Sequence, residues 1–338
     1  MVIAPTRFDQ IIDRFADLSV LVLGDLMLDE FVWGKVSRIS PEAPVPVVEV
    51  QSSSFYPGGA ANVVRNLTSF TRHTTAVGAV GRDETAARLK ELLRVDGTGV
   101  EGIVEIPDRV TGHKTRIIAR QQQIVRFDRE TVGPIGEIPR GILIDFLQRE
   151  IPKHDAVIIE DYGKGLLDQT LADAAIETAR RHNKVVTVDL NPKNPLCWNG
   201  ATAVKPNRSE ALASAGLAEE EGIAVVERAA AILQERWKTD YLLVTLGEDG
   251  MLLFQATEPP YHTPTRAQKV FDVSGAGDTA IAVFTLALAA GASGVEAAEL
   301  SNHASGVVVG KLGTATLTAA ELRASFRPPG FGLGLPAI

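Results

Sequence analysis

The sequence predicts an α/β fold: a doubly wound, mostly parallel sheet with helices on both faces, plus a small β-sheet lid. Three observations predict it. Apolar runs with polar ends recur at 20–23, 75–80, 156–160, 185–189, 201–205 and 242–246, as strands buried on both faces do. Helical stretches at 60–70, 84–93, 171–181 and 224–237 separate several of them, and strand–helix–strand spacing implies parallel pairing. Two stretches, 44–51 and 102–128, are strand-like with no helix between their runs, which marks a second, antiparallel layer.

Taken in order, VLVL at 20–23 ends at Gly24-Asp25 and suits a central strand. PVPVVEVQ at 44–51 alternates and is rich in proline. The glycine pair Gly58-Gly59 opens the helix at 60–70, a strand follows at 75–80, and an amphipathic helix at 84–93. GIVEI, HKTRIIA and QIVRFD fill 102–128. With 44–51 they form a lid over one edge of the large sheet, in segments about 31–55 and 100–130 interleaved with a single domain over 1–338. Such a lid excludes water from a transfer reaction. After 140 the alternation resumes. The most apolar stretch, 280–290, is shorter than the roughly 20 residues that span a bilayer and reads as a buried helix.

Composition narrows the function classes. The 338 residues are 45% hydrophobic and 22% charged, ordinary for a soluble domain. A net charge of −8 disfavours a general nucleic-acid binder, yet a local basic cluster can still take a small anion. Cys197 is the single cysteine, so no intrachain disulfide forms and a reducing compartment fits. Asp9 and Asp13 stand where a signal peptide would be apolar. The expectation is a cytoplasmic protein without a membrane partner.

Asp25, Asp161, Asp189, Asn207 and Gly247 follow predicted strands at their C-terminal ends, the edge where open parallel sheets bind ligands. Gly275, Ala276, Gly277 and Asp278 stand directly before the apolar helix. Free N–H groups of a first helical turn, with the helix dipole behind them, suit a phosphate. Asp278 beside that hole fits a base that takes the proton of an attacking hydroxyl, and equally an ordinary helix N-cap. Spacing alone leaves both open. Asn62, after the glycine turn, offers a donor and an acceptor to sugar hydroxyls, or is a structural turn residue. No GxxxxGK[ST], GxGxxG after the first strand, HExxH, paired CxxC or GxSxG occurs. Walker-type, dinucleotide, dedicated zinc and α/β-hydrolase readings therefore fall away.

GGAANVVRN and DVSGAGD, in this order and at this separation, resemble the two signature segments of the ribokinase, or PfkB, family of carbohydrate kinases. Val188-Asp189, KPNRSE at 205–210 and VTLGEDG at 244–250 add to the match, which covers about 18–325. Within the family, GDLMLDEFVWGKVSRISPEAPVPVVEV, QQQIVRFD, DYGKG and GVVVGKLGTAT are similar to bacterial D-glycero-β-D-manno-heptose 7-phosphate kinases. No HxGH-like nucleotidyltransferase motif occurs, so the expectation is the stand-alone kinase form, or the kinase half of the bifunctional kinase/adenylyltransferase.

The resemblance implies a ribokinase-like fold and a set of roles. Asp278 is then the catalytic base, and the amides of Gly275, Ala276 and Gly277 the anion hole. Asn207, Arg208, Ser209 and Glu210 lie by the ATP phosphates, with Glu210 reaching Mg²⁺ indirectly. Thr245, Gly247, Gly250 and Asn302 lie near the nucleotide. Asp25, Asp29, Gly58, Gly59 and Asn62 hold the sugar. Asp272 lies by a monovalent cation, K⁺, where one is bound. A sugar phosphate needs a second anion site, for which Arg120 and Lys164 are favoured over Arg116 and Arg126. Asp189 binds a sugar hydroxyl or orients Lys164. Exposed lid edges predict a homodimer through the lid.

Overall fold

The computed structural model describes residues 4–119, 122–256, 258–267, 269–311, 313 and 315–326. Helix α1 (Pro5–Asp13) precedes β1 (Ser19–Gly24), which runs on through Asp25 into β2 (Leu26–Ile39) and returns as β3 (Pro46–Gly59). Then come α2 (Ala60–Thr68), β4 (His73–Gly81), α3 (Glu84–Val95) and β5 (Gly99–Ile106). Strands β6 (Gly112–Ala119) and β7 (Gln122–Arg129) follow, then α4 (Glu137–Glu150), β8 (Ala156–Glu160), α5 (Gln169–Arg181), β9 (Val185–Asp189) and β10 (Ala203–Val204). The remainder is α6 (Arg208–Ala215), α7 (Ile223–Trp237), β11 (Tyr241–Thr245), β12 (Met251–Gln255), β13 (Glu258–Thr263), α8 (Ala276–Ala289), α9 (Gly294–Val308) and α10 (Ala319–Ser325).

Among the described residues the strands form two sheets. The large one has the order β13-β12-β11-β10-β9-β8-β1-β4-β5. It is parallel from β11 to β5, and β12 and β13 close one side antiparallel. Alternation along β1 shows why both faces are covered. Val20 and Val22 pack with α2, α8 and α9, while Leu21 and Leu23 pack with α4, α5 and α7. All four are fully buried, each worth about 1.5–3 kcal/mol relative to exposure.

The lid has the order β3-β2-β6-β7. Two expectations about it change. The pair β2–β6 is parallel, so the lid is mixed rather than antiparallel. GIVEI at 102–106 belongs to β5, an edge strand of the large sheet beside β4. Helix α3 supplies the crossover between those two strands, and parallel pairing follows from it. The lid strands thus span 26–39, 46–59, 112–119 and 122–129.

Helix α8 is apolar almost all round because it is sandwiched. Residues 279–287 are buried, and the helix packs on α2, α9 and the large sheet. Two polar ties fix its position. Thr279 Oγ1 donates to Asn66 Oδ1 of α2 at 2.7 Å, and Thr285 and Thr187 of β9 share a hydrogen bond of 2.6 Å. Its N-terminus is therefore held against both the large sheet and the helix that follows the lid.

Candidate active site

The parallel register places carboxylates side by side. Glu160 at the end of β8 lies opposite Asp189 at the end of β9, and opposite Gly24 at the end of β1, directly before Asp25. Above this edge sits the first turn of α8. Gly275 caps it in the left-handed region, φ 80°, where a side chain would be strained. The helical ladder begins at Thr279 N–H, which donates to the Gly275 carbonyl. Ala276 N–H already donates to Val273 O at 3.2 Å. The turn amides with no acceptor among the described residues are thus those of Gly275, Gly277 and Asp278; of the three expected, only Ala276 N–H is taken.

Asp278 is held from two sides. Asn62 Nδ2 donates to its Oδ2 at 2.6 Å, and Tyr162 Oη donates to its Oδ1 at 3.0 Å. Neither oxygen accepts from a first-turn amide in the manner of an N-cap, and Gly275 occupies the cap position. The N-cap alternative for Asp278 is thereby removed. Burial, reinforced by Asp189, pushes its pKa up to about 6 against the two hydrogen bonds and Lys205. A carboxylate poised there is ionised at neutral pH and readily takes a proton. Asn62 thus orients Asp278 through its Nδ2, a contact that the expectation of a sugar ligand did not include.

Lys205 is the cation of this edge. Its Nζ lies 2.7 Å from Asp189 Oδ2, and the side chain is buried. Burial works against the ammonium, but Asp189 and Glu160 hold its pKa above the ordinary value. A Cβ added to Gly277 would stand 3.5 Å from Nζ, so the ammonium faces the anion-binding turn. Asp189 therefore partners Lys205; the expected link to Lys164 is not made. Glu160 is 1% exposed, and burial beside Asp189 and Asp278 raises its pKa well above the usual carboxylate range.

One side of α8 opens on a cavity of about 450 Å³ lined by Thr245, Gly247, Gly250, Met251, Ala276, Gly277 and Val309, among others. Asn302 borders it, buried, with Nδ2 donating to Thr263 Oγ1 and to Pro264 O. It braces the wall. Residues 207–210 are engaged in local contacts. Asn207 and Glu210 form the capping box of α6, Arg208 pairs with Asp249 at 2.7 Å, and Ser209 donates to Glu219 at 2.6 Å. None of the four lines the cavity. Glu210 gives Oε2 to the cap, and burial and Asp189 raise its pKa. Asp272 accepts from Ser274 N–H and Gly313 N–H and so pins two loops.

On the lid side, Asp25 accepts from the amides of Tyr162, Lys164 and Leu166 at 3.1, 3.1 and 3.4 Å. It shapes the 162–166 loop, and burial raises its pKa. A small cavity of about 20 Å³ lies here, lined by Asp25, Met27, Arg109, Glu130 and Lys164. Lys164 Nζ is bound to Glu130. Arg109 donates to the carbonyls of Gly133 and Lys164. Asp29 is paired with Arg116 at 2.5 Å. It also explains Gly58, where a Cβ would meet Asp29 Oδ2 at 2.4 Å. Gly59 turns the chain into α2 at φ 59°. Arg126 pairs with Asp128. Arg120 lies outside the described residues.

Glu160, Tyr162, Lys205 and Arg109 were not singled out from the sequence. Glu160 and Tyr162 flank Asp161, and a strand-end reading names only one polar residue per strand. Asp161 itself turns away to Asn194 and Gly163 N–H. Lys205 sits in an apolar run, and only its buried ion pair gives it away.

Comparison with known proteins agrees with this geometry. The family model described as pfkB family carbohydrate kinase matches residues 17–320. The bifunctional protein HldE of Desulfatibacillum aliphaticivorans is 43% identical over 316 residues, covering 94% of this chain and 64% of that protein. The HldE of Caulobacter vibrioides is 42% identical over 310 residues, covering 92% and 64%. The chain thus spans less than two thirds of the length of these relatives. Among solved structures, phosphofructokinase-2 of Escherichia coli in complex with potassium superposes with a TM-score of 0.73 at 20% identity, covering 91% of this chain and 98% of that one. Arabidopsis thaliana ribokinase complexed with ribose and ATP gives 0.70 at 17%, covering 92% and 99%. These establish a ribokinase-like fold. No helix among the described residues is long and apolar enough to cross a membrane. The family match over nine tenths of the chain, with a two-donor aspartate at a glycine-capped helix, leads to one identification: the chain belongs to the pfkB family of carbohydrate kinases.

Proposed function

We propose that this chain transfers the γ-phosphoryl group of ATP to O1 of D-glycero-β-D-manno-heptose 7-phosphate. The product is the 1,7-bisphosphate, on the route to ADP-heptose for lipopolysaccharide. The observation that carries the phosphoryl-transfer chemistry is Asp278, held by Asn62 and Tyr162 between the nucleotide-sized cavity and the lid. The heptose rests on the similarity of the 24–50 and 121–128 segments to heptose 7-phosphate kinases and on the HldE relatives.

In the reaction, the sugar O1 attacks the γ-phosphorus and the bond from that phosphorus to the bridging oxygen breaks, releasing ADP. The O1 proton passes to Asp278. The Gly277 and Asp278 amides, the α8 dipole and Lys205 face the charge on the transferring group. Positioning by the lid and these donors supplies most of the acceleration. Glu210 fits the Mg²⁺ that accompanies ATP, through water, because its Oε1 has no partner among the described residues. The ion supplies charge neutralisation of the phosphates. The Asp272–Ser274 turn fits K⁺ through its carbonyls. Lys164, Arg109 and Arg120 are assigned to the 7-phosphate, with Asp25 and Asp29 on the sugar hydroxyls. A cytoplasmic homodimer, joined through the lid, completes the reading.

The test is a substrate panel read for ADP release and product regiochemistry. Heptose 7-phosphate should be phosphorylated at O1, with unphosphorylated hexoses, ribose and nucleosides far slower. Preference for fructose, ribose or a nucleoside would move the chain to another branch of the family.

A further inference from the structure

Helix α2 presents two asparagines, one turn apart, to α8. Asn62 Nδ2 donates to Asp278 Oδ2 at 2.6 Å. Asn66 Nδ2 donates to the Asn62 carbonyl at 2.9 Å, and Asn66 Oδ1 accepts from Thr279 Oγ1 at 2.7 Å. Thr279 is the residue after Asp278 in α8. The bonds therefore close a ring, from Asp278 through Asn62, Asn66 and Thr279 and back along the chain to Asp278. Asn62 is 3% exposed, Asn66 1% and Thr279 0%, so bulk water does not stand in for a bond that is lost. We infer that Asn66 is a positioning residue: with Thr279 it fixes α2 against the first turn of α8, so that the Asn62 amide meets the Asp278 carboxylate.

Two details set the ring apart from ordinary helix packing. A threonine hydroxyl inside a helix commonly turns to the carbonyl one turn back. The Thr279 hydroxyl gives its single proton across to α2 instead. The Asn66 amide, in turn, cannot flip without setting its oxygen against the Asn62 carbonyl oxygen, an acceptor facing an acceptor. Both ends of that amide are committed, and the bridge works in one orientation. Asn62 lacks such protection, because its Oδ1 is buried with no partner and its side chain is held through Nδ2. The carbonyl that Asn66 grips belongs to this same residue. A shift there draws the donor away from the carboxylate oxygen, and a carboxylate that loses a donor holds its proton more tightly. This role rests on Asp278 acting as the base.

The experiment compares Thr279→Val, which keeps the shape and removes the hydroxyl, with Thr279→Ser, which keeps the hydroxyl. The Asp278 carboxyl is titrated by carbon-13 NMR in the full chain labelled at aspartate, its signal assigned by its loss in Asp278→Asn. Steady-state kinetics are measured beside it. Thr279→Val should move the Asp278 midpoint to higher pH, because the Asn62 hydrogen bond lowers it. A misplacement of about 1 Å can cost on the order of 10²-fold, so kcat should fall about tenfold, with KM for ATP and for the sugar phosphate little changed. Thr279→Ser should restore both midpoint and kcat. The other titratable groups facing Asp278 are Glu160, Tyr162, Asp189 and Lys205, and both substitutions leave them in the chain. A lowered Tm with an unmoved midpoint overturns the inference, as does a Thr279→Ser chain that behaves like Thr279→Val. If Thr279→Val does not fold by circular dichroism, Thr279→Ala takes its place and is read the same way. The titration needs no turnover. Activity retained by Asp278→Asn would remove the base, whereas an unmoved midpoint removes the ring, so the two fail separately.

Discussion

The two sides of α8 are built on opposite plans. Toward β11 and β12 the cavity measures about 450 Å³ and presents backbone, small side chains and apolar carbon. Toward the lid the cavity measures about 20 Å³, room for about one water, and is walled by Asp25, Arg109, Glu130 and Lys164. On the proposed reading the nucleotide takes the first. The second is closed on itself by ion pairs, because each cation there already has a partner in the chain. On the proposed reading a sugar phosphate replaces the Glu130–Lys164 pair. The difference assigns shape recognition to one side and charge exchange to the other, with Asp278 between them.

The strongest way to break this division is Asp278→Asn. It should lower kcat by roughly 10²–10⁴-fold and leave ATP affinity, measured by calorimetry, within twofold. Retained turnover would return Asp278 to a structural role. Lys164→Ala comes next. Loss of one charge-assisted phosphate contact, about 1.5–3 kcal/mol, should raise KM for the sugar phosphate by roughly ten- to hundredfold while KM for ATP stays. An equal rise in both would erase the contrast between the two cavities.

A smaller effect sharpens the middle of the comparison. If Asp278 is the base, it acts only when ionised, so kcat/KM should fall as pH drops through about 6. The Tyr162 hydroxyl lowers that pKa by donating to the carboxylate. Tyr162→Phe should move the acid limb to higher pH and cost several-fold in rate at neutral pH, visible in a pH–rate profile. A limb that does not move would place the titration on another group. The smallest expected effect concerns the lid edges. Trp33, Val50, Val125 and Phe127 are large, apolar and exposed on the lid, so light scattering at micromolar concentration should give twice the chain mass. Replacing Val125 with Lys should weaken that association with little change in ATP affinity.

The large sheet was legible in the sequence because strands buried on both faces are apolar throughout. The runs at 156–160 and 185–189 match β8 and β9 residue for residue, and 20–23 gains one residue at each end as β1. Strands β12 and β13 were missed: MLLFQ at 251–255 follows a glycine turn, and EPPYHT carries two prolines that read as loop. GIVEI went to the wrong sheet, since its five residues say strand but not neighbour; α3 decides that. At the site, the helix start at Gly275–Asp278 could be read because a glycine turn stands before an apolar run, while spacing alone left the role of Asp278 open. Asn207 and Glu210 carry a capping-box spacing, which predicts their local bonds as directly as it matches a motif. Glu160 and Lys205 were invisible, because a charged residue at a strand end is unremarkable until its neighbours on other strands are known. Register supplies that knowledge, and a single strand's residues do not contain it.

Strand β1 does not stop where the lid begins. It passes through Gly24 and Asp25 straight into β2, 14 residues long, so the lid is cantilevered from the middle of the core. At about 3.3 Å per residue β2 reaches roughly 45 Å. A tilt of about 10° at its root then swings the far end by roughly 8 Å, while Asp25, at the fulcrum, scarcely shifts. Because Asp25 also anchors the backbone of Tyr162, the hinge and the base's hydrogen-bond donor share one carboxylate. On the proposed reading, a wide sweep of the tip would admit the sugar while the Asp25 end of the same lever stays in register with Tyr162.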